Sequence, residues 1–162
     1  IGREHQVATI QLDMNLPERF NLTCINEKGE KERIVMMHCA IMGSIERFTA
    51  VLIEHLGGNF PLWLAPEQLR VIPVSDAHHE YAGTVYAQLK AIGIRASFDD
   101  ANESLGKKIR SAKQARLPYF VVIGDKEVEA KNVTLESRNG ESKQVDMHAL
   151  GNHLLTEIDV KK

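Results

Sequence analysis

Apolar and polar residues alternate at the start of the chain in a way that is typical of a β-strand. The period of two covers residues 6–12 and places Thr9 and Gln11 on one face. Two further runs rich in strand-forming residues, 21–25 and 34–38, lie on either side of a segment rich in turn-forming residues. We therefore expect a hairpin, or an arrangement close to one, after the first strand.

The spacing of apolar residues becomes helical after Gly43. Apolar side chains recur at intervals of three and four residues between positions 45 and 56. Ser44 stands where a helix N-cap is expected, and Gly57-Gly58 stands where a helix would stop. The pattern predicts one helix, from Ile45 to Leu56.

Beyond the proline-bracketed segment 60–66, the pattern becomes one of alternating strands and helices. The predicted strands are 69–74, 94–98, 119–123, 133–137 and 143–145, and the predicted helices are 77–92, 103–115 and 148–158. Apolar strands in βαβαβ order predict parallel pairing with helices covering the sheet, and Asn139-Gly140 predicts a hairpin turn. The expected fold class is α/β, with a mixed sheet of about five strands and three helices in this domain.

Composition and charge exclude several classes of protein. Of the 162 residues, 43% are hydrophobic, and 20 basic residues stand against 22 acidic ones, which gives a formal net charge of −2. This balance predicts no general attraction to nucleic acid or to anionic membranes. The longest uncharged stretch of the first half, 34–45, is too short for a membrane-spanning helix. Cys24 and Cys39 form no disulfide framework, which indicates a reducing compartment and predicts a cytoplasmic location.

One helix of the second half carries a local excess of positive charge. Its basic residues are Lys107, Lys108, Arg110, Lys113 and Arg116. Helical geometry puts Lys107 and Arg110 on the solvent side, and the capping-box spacing of Asp100 and Glu103 predicts a helix start near Asn102. An exposed amide side chain beside cations suits nucleic-acid binding; the alternative is an ordinary solvated face.

Two residues of the first half have possible roles in chemistry. His38 follows an apolar strand, but no second ligand lies at metal spacing, so a packed histidine is the alternative to a metal ligand. Arg47 lies in the first turn of the predicted helix, where it can face an anionic ligand or serve only structure. The remaining histidines considered are predicted to lie on the surface: His78, His79, His148 and His153.

Four segments are more specific than their periodicity. They are GREHQVATIQLD (2–13), LPERF (16–20), HCAIMGSIERF (38–48) and PLWLAP (61–66). These segments closely resemble the C-terminal part of the bacterial threonyl-tRNA synthetases. The Gly-Ser-x-Glu-Arg-Phe element is similar to motif 3 of class II synthetases, and the rest of the chain resembles the class IIa anticodon-binding domain.

The resemblance implies a fragment of a threonine–tRNA ligase. The end of the catalytic domain is expected at residues 1–64 and the anticodon-binding domain at 65–162. The implied parent is a homodimer that activates threonine with ATP and Mg²⁺, uses Zn²⁺, and transfers threonine to tRNA(Thr). Motifs 1 and 2 are absent, and the chain opens at Ile1 without Met. We therefore expect a piece of a longer protein that is inactive alone.

The resemblance also implies roles for individual residues. His38 matches a zinc ligand that helps to bind threonine, and Arg47 matches the catalytic motif 3 arginine that binds ATP. The other matched positions of the catalytic part lie near ATP, at Gln6 and Thr9, or line the threonine pocket, at Gln11 and Ser44. The matched positions that read or support the anticodon loop are Asn102, Arg110, Arg116 and Glu127.

Two positions depart from the family pattern. Cys39 and Glu136 both stand where the family usually has arginine. A carboxylate near phosphate is repulsive, so Glu136 predicts weaker anticodon binding than is usual. These departures favour one alternative, a non-catalytic tRNA-binding paralogue or regulatory relative. A flavodoxin-like small-molecule domain is disfavoured, because no glycine-rich phosphate loop follows the strand at 69–74.

Overall fold

The computed structural model describes residues 2–161, which fall into two compact units divided between His55 and Leu56. The first unit contains six elements: β1 (Ala8–Asp13), α1 (Asn15–Arg19), β2 (Thr23–Ile25), β3 (Lys31–Arg33), β4 (Met36–Ile41) and α2 (Ile45–Leu56). Strand β1 pairs antiparallel with β4, and β2 pairs antiparallel with β3. The predicted strand at 6–12 and the predicted helix at 45–56 are thus confirmed.

The hairpin differs from the expected one. Residues 23–25 pair with 31–33 instead of with 34–38, and the latter region belongs to β4, which pairs with β1. The Asn26 side chain explains the early turn, since its Oδ1 accepts hydrogen bonds from the amides of Lys28 and Glu30 at 3.0 Å. The returning strand Lys31–Arg33 is wholly polar and therefore gave no apolar signal.

The second unit is built on one mixed sheet. Its strands are β5 (Leu69–Pro73), β6 (Ala96–Phe98), β7 (Tyr119–Ile123), β8 (Asn132–Ser137) and β9 (Ser142–Asp146), and its α-helices are α3 (His79–Ala91), α4 (Leu105–Gln114), α5 (Asp125–Ala130) and α6 (Met147–Asp159). The strand order is β6-β5-β7-β8-β9. Strand β5 is parallel to β6 and β7, while β7, β8 and β9 are antiparallel. The α/β class and the five-stranded mixed sheet are confirmed.

Helices cover both faces of this sheet. One cluster packs α3 and α6 on the sheet through Val71, Leu89, Leu150 and Leu154. A second cluster packs α4 on the sheet, and its buried members are Ile72, Ala112, Leu117 and Phe120. The alternating pattern of buried side chains along the strands therefore places α4 on the opposite face from α3 and α6.

Two helix predictions are corrected by the structure. The second unit has four α-helices among the described residues instead of three, because the six-residue α5 was too short and too polar to show periodicity. Helix α4 begins at Leu105 with Ser104 as N-cap, so the proposed capping box at Asp100 and Glu103 is wrong. No helix within residues 2–161 has the length and apolar character needed to cross a membrane.

Candidate substrate pocket and nucleic-acid interface

The sheet of the first unit has one polar and one apolar face. Along β1, the side chains of Thr9, Gln11 and Asp13 share a face, since they alternate with the apolar residues between them. Gln11 lies directly opposite His38 of β4 in the antiparallel register. The strand pairing therefore places a glutamine, a histidine and a carboxylate side by side on one surface.

Asp13 orients the imidazole of His38. The Oδ2 atom of Asp13 lies 2.8 Å from Nε2 of His38. The Oδ1 atom accepts hydrogen bonds from the amides of Asn15 and Leu16 at 2.9 and 3.0 Å. The Leu16 amide, followed by the His38 contact, holds the pKa of Asp13 below its ordinary value. A carboxylate fixed by two amides thus fixes one ring nitrogen of the histidine.

This arrangement is compatible with a metal-binding histidine. Histidines that bind metals commonly donate their second ring nitrogen to a carboxylate, and Asp13 supplies that partner at Nε2 and leaves Nδ1 for the metal. A complete site needs more ligands, because residues 2–161 contain no group of three or more histidine, cysteine or acidic side chains placed to hold an ion. His38 is therefore placed as a single metal ligand could be, and its role in binding zinc stays a prediction.

Two other pairs of predicted site residues are brought together. The amide Nε2 of Gln6 donates to Oγ1 of Thr9 at 2.7 Å, so Gln6 reaches the polar end of β1. Ser44 caps α2, where its Oγ accepts the amide of Arg47 at 3.3 Å and donates to Glu46 at 2.6 Å. The cap fixes the first turn that carries Arg47, whose side chain is exposed. The hydrogen bond from Ser44 lowers the pKa of Glu46.

The departure at Cys39 lies on the other face of the sheet. Cys39 is opposite Ile10 in the register, one residue out of phase with His38. It is a free, exposed cysteine. Among its neighbours on that face, Ile10 and Ile41 are also exposed. The substitution therefore changes the apolar face of β4 and leaves the polar face unchanged.

In the second unit, α4 presents cations to solvent. Lys107, Arg110 and Lys113 are exposed, as the helical spacing predicted for the first two. Lys107 forms an ion pair with Glu103 at 2.5 Å, and Nζ of Lys113 lies 5.9 Å from the centre of the Phe120 ring. Arg110 places an exposed guanidinium on this face of α4, where a ligand can reach it.

Asn102 lies in the loop that leads into this helix. It is exposed and lies between Asp99, which follows β6, and the N-cap Ser104. The helix begins later than expected because the Ser104 carbonyl accepts the first amides of α4, from Lys107 and Lys108. The amide of Asn102 and the guanidinium of Arg110 thus lie on one exposed loop and the helix that follows it. Amide and guanidinium groups are the kinds of polar group that bind unpaired bases.

The side chains of Arg116 and Glu127 form hydrogen bonds with other residues of the second unit. Arg116 has a positive φ of 55° and donates a hydrogen bond to the carbonyl of Gly57. Glu127 is buried, and its two oxygens accept from the Gly124 amide at 2.9 Å and from the Thr134 hydroxyl at 2.6 Å. Burial alone would raise the pKa of Glu127, but these hydrogen bonds outweigh it and lower the pKa. Contacts of either residue with RNA stay predictions.

Two buried polar residues were missed by sequence reasoning. His78 was placed on the surface, but it is buried and its ring contacts Ser75 through Nδ1 and Asp125 through Nε2, at 3.0 and 2.9 Å. Lys108 is counted among the basic residues of the helix without a predicted side, and the structure shows that it is buried as well. Position on the helix gives some signal for Lys108, since it lies beside Ala112 at a spacing of four. Ser75 is a local partner of His78, three residues before it, but nothing in the local sequence indicates the second partner, Asp125.

Comparison with known families agrees with this geometry. A family described as "Anticodon binding domain" matches residues 68–156, and one described as "tRNA synthetase class II core domain (G, H, P, S and T)" matches residues 1–56. The chain belongs to the anticodon-binding-domain family of class II aminoacyl-tRNA synthetases, and a segment of class II core precedes that domain. The boundary predicted at residues 64–65 lies between the two matches and stays a prediction.

Similar proteins found by comparison are threonine–tRNA ligases. A threonine–tRNA ligase of Caldanaerobacter subterraneus subsp. tengcongensis is 49% identical over 99% of this chain and 25% of the relative. One of Symbiobacterium thermophilum is 51% identical over 85% of this chain and 21% of the relative. The chain is thus homologous to threonine–tRNA ligases and spans about a quarter of their length, which confirms the resemblance. These relatives are ligases and give no support to the non-catalytic alternative.

Solved structures show the same likeness. The RNA binding domain of threonyl-tRNA synthetase from Cryptosporidium parvum matches 96% of this chain and 40% of its own chain, with a TM-score of 0.86 and 38% identity. A prolyl-tRNA synthetase of that organism matches with a TM-score of 0.73 at 21% identity, covering 95% of this chain and 33% of its own. The second match supports the fold alone.

Proposed function

We propose that residues from 68 onward bind the anticodon loop of tRNA(Thr). The observation that carries the proposal is the exposed cationic face of α4 beside the exposed Asn102, on a domain of the anticodon-binding family. Arg110 supplies a planar cation for phosphate or for stacking on a base, and Asn102 supplies a donor and an acceptor for a base edge. Because the net charge of the chain is −2, this attraction is local.

Binding of an anticodon stem-loop RNA at several salt concentrations tests this proposal. We expect Arg110→Gln to weaken binding and to reduce the slope of log affinity against log salt by about 0.7, the value for one phosphate contact on a single strand. Lys90→Gln is the matched control, because it removes one cation from α3 on the opposite face of the sheet. Equal effects of the two variants would contradict an RNA site on α4.

We also propose that residues 1–56 supply part of the threonine and ATP pocket of a threonine–tRNA ligase. In the reaction, the carboxylate of threonine attacks the α-phosphate of ATP and pyrophosphate leaves. The ribose hydroxyl of tRNA(Thr) then attacks the threonyl carbonyl, and AMP leaves. Arg47, on the turn capped by Ser44, would offset the negative charge of the phosphates together with Mg²⁺. Gln6 and Thr9 would contact ATP.

His38 would hold the zinc ion in this pocket, with its ring oriented by Asp13. A bound zinc supplies a Lewis acid that can coordinate the amino and hydroxyl groups of threonine. Gln11, directly across from His38, and Ser44 would line the same pocket. A site that must bind a hydroxyl rejects valine far better than an apolar pocket does. A homodimeric, cytoplasmic parent enzyme is part of the proposal and rests on the resemblance alone.

Pyrophosphate exchange dependent on threonine tests the catalytic part. We expect no exchange from residues 1–162 alone, and robust exchange from a protein that also contains the rest of the class II core. In that longer protein, Arg47→Ala should abolish most of the exchange, whereas Arg19→Ala, at the end of α1, should leave it nearly unchanged. Exchange by the 162-residue chain itself would refute the proposal that this pocket is shared.

A further inference from the structure

Lys108 is unusual among the basic residues of α4 because its side chain is buried. Only 4% of Lys108 is exposed, whereas the side chain of the adjacent Lys107 is 66% exposed. A buried ammonium group costs free energy unless polar groups compensate for the water it has lost. Its Nζ donates a hydrogen bond of 3.1 Å to the main-chain carbonyl of Asp99. The buried charge of Lys108 is therefore directed at a loop and away from solvent.

The loop that Lys108 holds is the one that carries Asn102. The amide of Asp99 donates to the carbonyl of Val71 on β5 at 2.9 Å. The main chain of Asp99 is consequently fixed on both sides, by the sheet at its amide and by Lys108 at its carbonyl. The Oδ1 of Asp99 also accepts a hydrogen bond of 3.3 Å from the amide of Ala101, the residue before Asn102.

The two ends of this loop are tied to the same helix. Ser104 caps α4, and Lys108 lies in the next turn, where its own amide donates to the Ser104 carbonyl at 3.1 Å. Lys108 thus contacts the end of the loop through its main chain and the start of the loop through its side chain. A loop closed at both ends by one residue has few ways to move Asn102 relative to Arg110.

We propose that Lys108 is a positioning residue for RNA recognition. It holds the loop from Asp99 to Ser104 so that Asn102 is presented to a base of a single-stranded RNA loop, and it does not contact the RNA itself. This inference rests on the proposed function of α4 and its preceding loop as the anticodon-binding surface. The two adjacent lysines therefore have different roles. Lys107 faces the RNA phosphates, and Lys108 holds the loop that presents Asn102.

The adjacent lysines allow a matched experiment on the full chain. Lys108→Met and Lys107→Met remove the same charge and keep a side chain of similar shape, and the probe is an anticodon stem-loop RNA of tRNA(Thr). We expect Lys108→Met to weaken binding by about tenfold, the size of one lost base contact, with an unchanged salt slope. Lys107→Met should reduce the slope by about 0.7.

A double-mutant cycle separates positioning from a general effect on folding. If Lys108 acts through Asn102, Lys108→Met should have little further effect on affinity in the Asn102→Ala background. Lys108→Arg, which keeps a donor, should restore most of the affinity. If Lys108→Met does not fold, Lys108→Gln replaces it in the same cycle, because its shorter side chain keeps a donor but reaches the Asp99 carbonyl less well, and it is compared with Lys108→Arg.

Several results would overturn the inference. These are a salt slope reduced by Lys108→Met as much as by Lys107→Met, an unchanged affinity, or an equal loss with and without Asn102. Amide hydrogen exchange tests the loop without RNA: exchange at Ala101 to Glu103 should quicken in Lys108→Met and not in Lys107→Met. If the wild-type chain binds no RNA, the proposed function fails, while quickened exchange would still support the hold of Lys108 on the loop.

Discussion

The two units of this chain use their apolar residues in opposite ways. In the second unit, residues such as Val71, Leu89 and Leu154 are completely buried between the sheet and its helices. In the first, Ile41 is 75% exposed, and Pro17 is the one buried residue of those described before Leu56. Regular strands and a capped helix therefore form in both units, but a packed core accompanies them in only one.

This difference shows that secondary structure and stability have separate origins. The polar face of β1 and β4 is ordered by local hydrogen bonds such as those of Asp13, which are exposed to water and contribute little free energy each. The surface proposed to bind the anticodon rests on a close-packed sheet, where burial of apolar area supplies the main stabilisation. We expect the second unit to dominate the measured unfolding of the chain.

The largest difference in stability should appear when a leucine is replaced by alanine in each unit in turn. Leu154 is completely buried and Leu12 is 61% exposed. Leu154→Ala should lower the free energy of unfolding by about 2–5 kcal/mol, because it leaves a cavity, and Leu12→Ala should change it by less than about 0.5 kcal/mol. Urea unfolding followed by far-ultraviolet circular dichroism, to which the helices and strands of both units contribute, measures both. Similar losses for the two variants would show that the first unit has a core as well.

Sequence reasoning was most successful where apolar residues recur with a regular period. The strand Tyr119–Ile123 and the helix Ile45–Leu56 were predicted with their exact bounds, because apolar spacing marks both. The wholly polar strand Lys31–Arg33 and the short helix α5 were missed, since neither has an apolar period to detect. Local signals therefore define an element when one of its faces is apolar, whether that face is buried, as in β7, or exposed, as in α2.

The candidate sites also contain residues that the sequence predicts and residues that it does not. Residues assigned by motif, such as Gln11 and His38, are brought together by strand pairing that the periodicity of β1 had indicated. The burial of His78, Lys108 and Glu127 depends on partners from other parts of the second unit. Some of these partners are close in sequence, such as Ser75 beside His78 and Thr134 beside Glu127. Local spacing still does not predict the burial itself, because burial is set by the packing of the helices on the sheet.

A smaller effect, dependent on pH, should come from Glu67. Its carboxylate receives two hydrogen bonds of 2.8 Å from Arg70 and one from Ser97. Burial raises the pKa of Glu67, but these bonds outweigh it and lower the pKa from its ordinary value of 4.5. The stabilisation is therefore complete above pH 4.5 and is lost as the pH falls through the lower pKa of the folded chain.

Glu67→Gln should accordingly destabilise the second unit by about 1–3 kcal/mol at neutral pH. The difference from wild type should shrink as the pH falls below the ordinary pKa of the carboxyl. Glu129→Gln, at an exposed position of α5, is the control and should have almost no effect. Urea unfolding at a series of pH values measures the effect, and a loss from Glu67→Gln that is constant with pH would refute it.

The smallest effects should come from two glycines of the second unit. Gly58 has a φ of +79°, and an added Cβ would lie 3.2 Å from Cδ of Arg116. Gly83 lies inside α3 with open space at its Cβ position. Gly58→Ala should therefore destabilise by about 1–2 kcal/mol, and Gly83→Ala should stabilise by about 0.5–1 kcal/mol through helix propensity. Thermal unfolding should show shifts of opposite sign; shifts of the same sign would contradict these conformations.

The most direct test of the account compares two RNA hairpins with one stem. One carries the anticodon loop of tRNA(Thr), and the other carries the same nucleotides of the loop in scrambled order, so that charge and length are equal. Titration of each into the 162-residue chain should show binding at least about tenfold tighter for the true loop, because base edges are read as well as phosphates. Equal affinity for the two hairpins would contradict the assignment of the second unit as a reader of the anticodon.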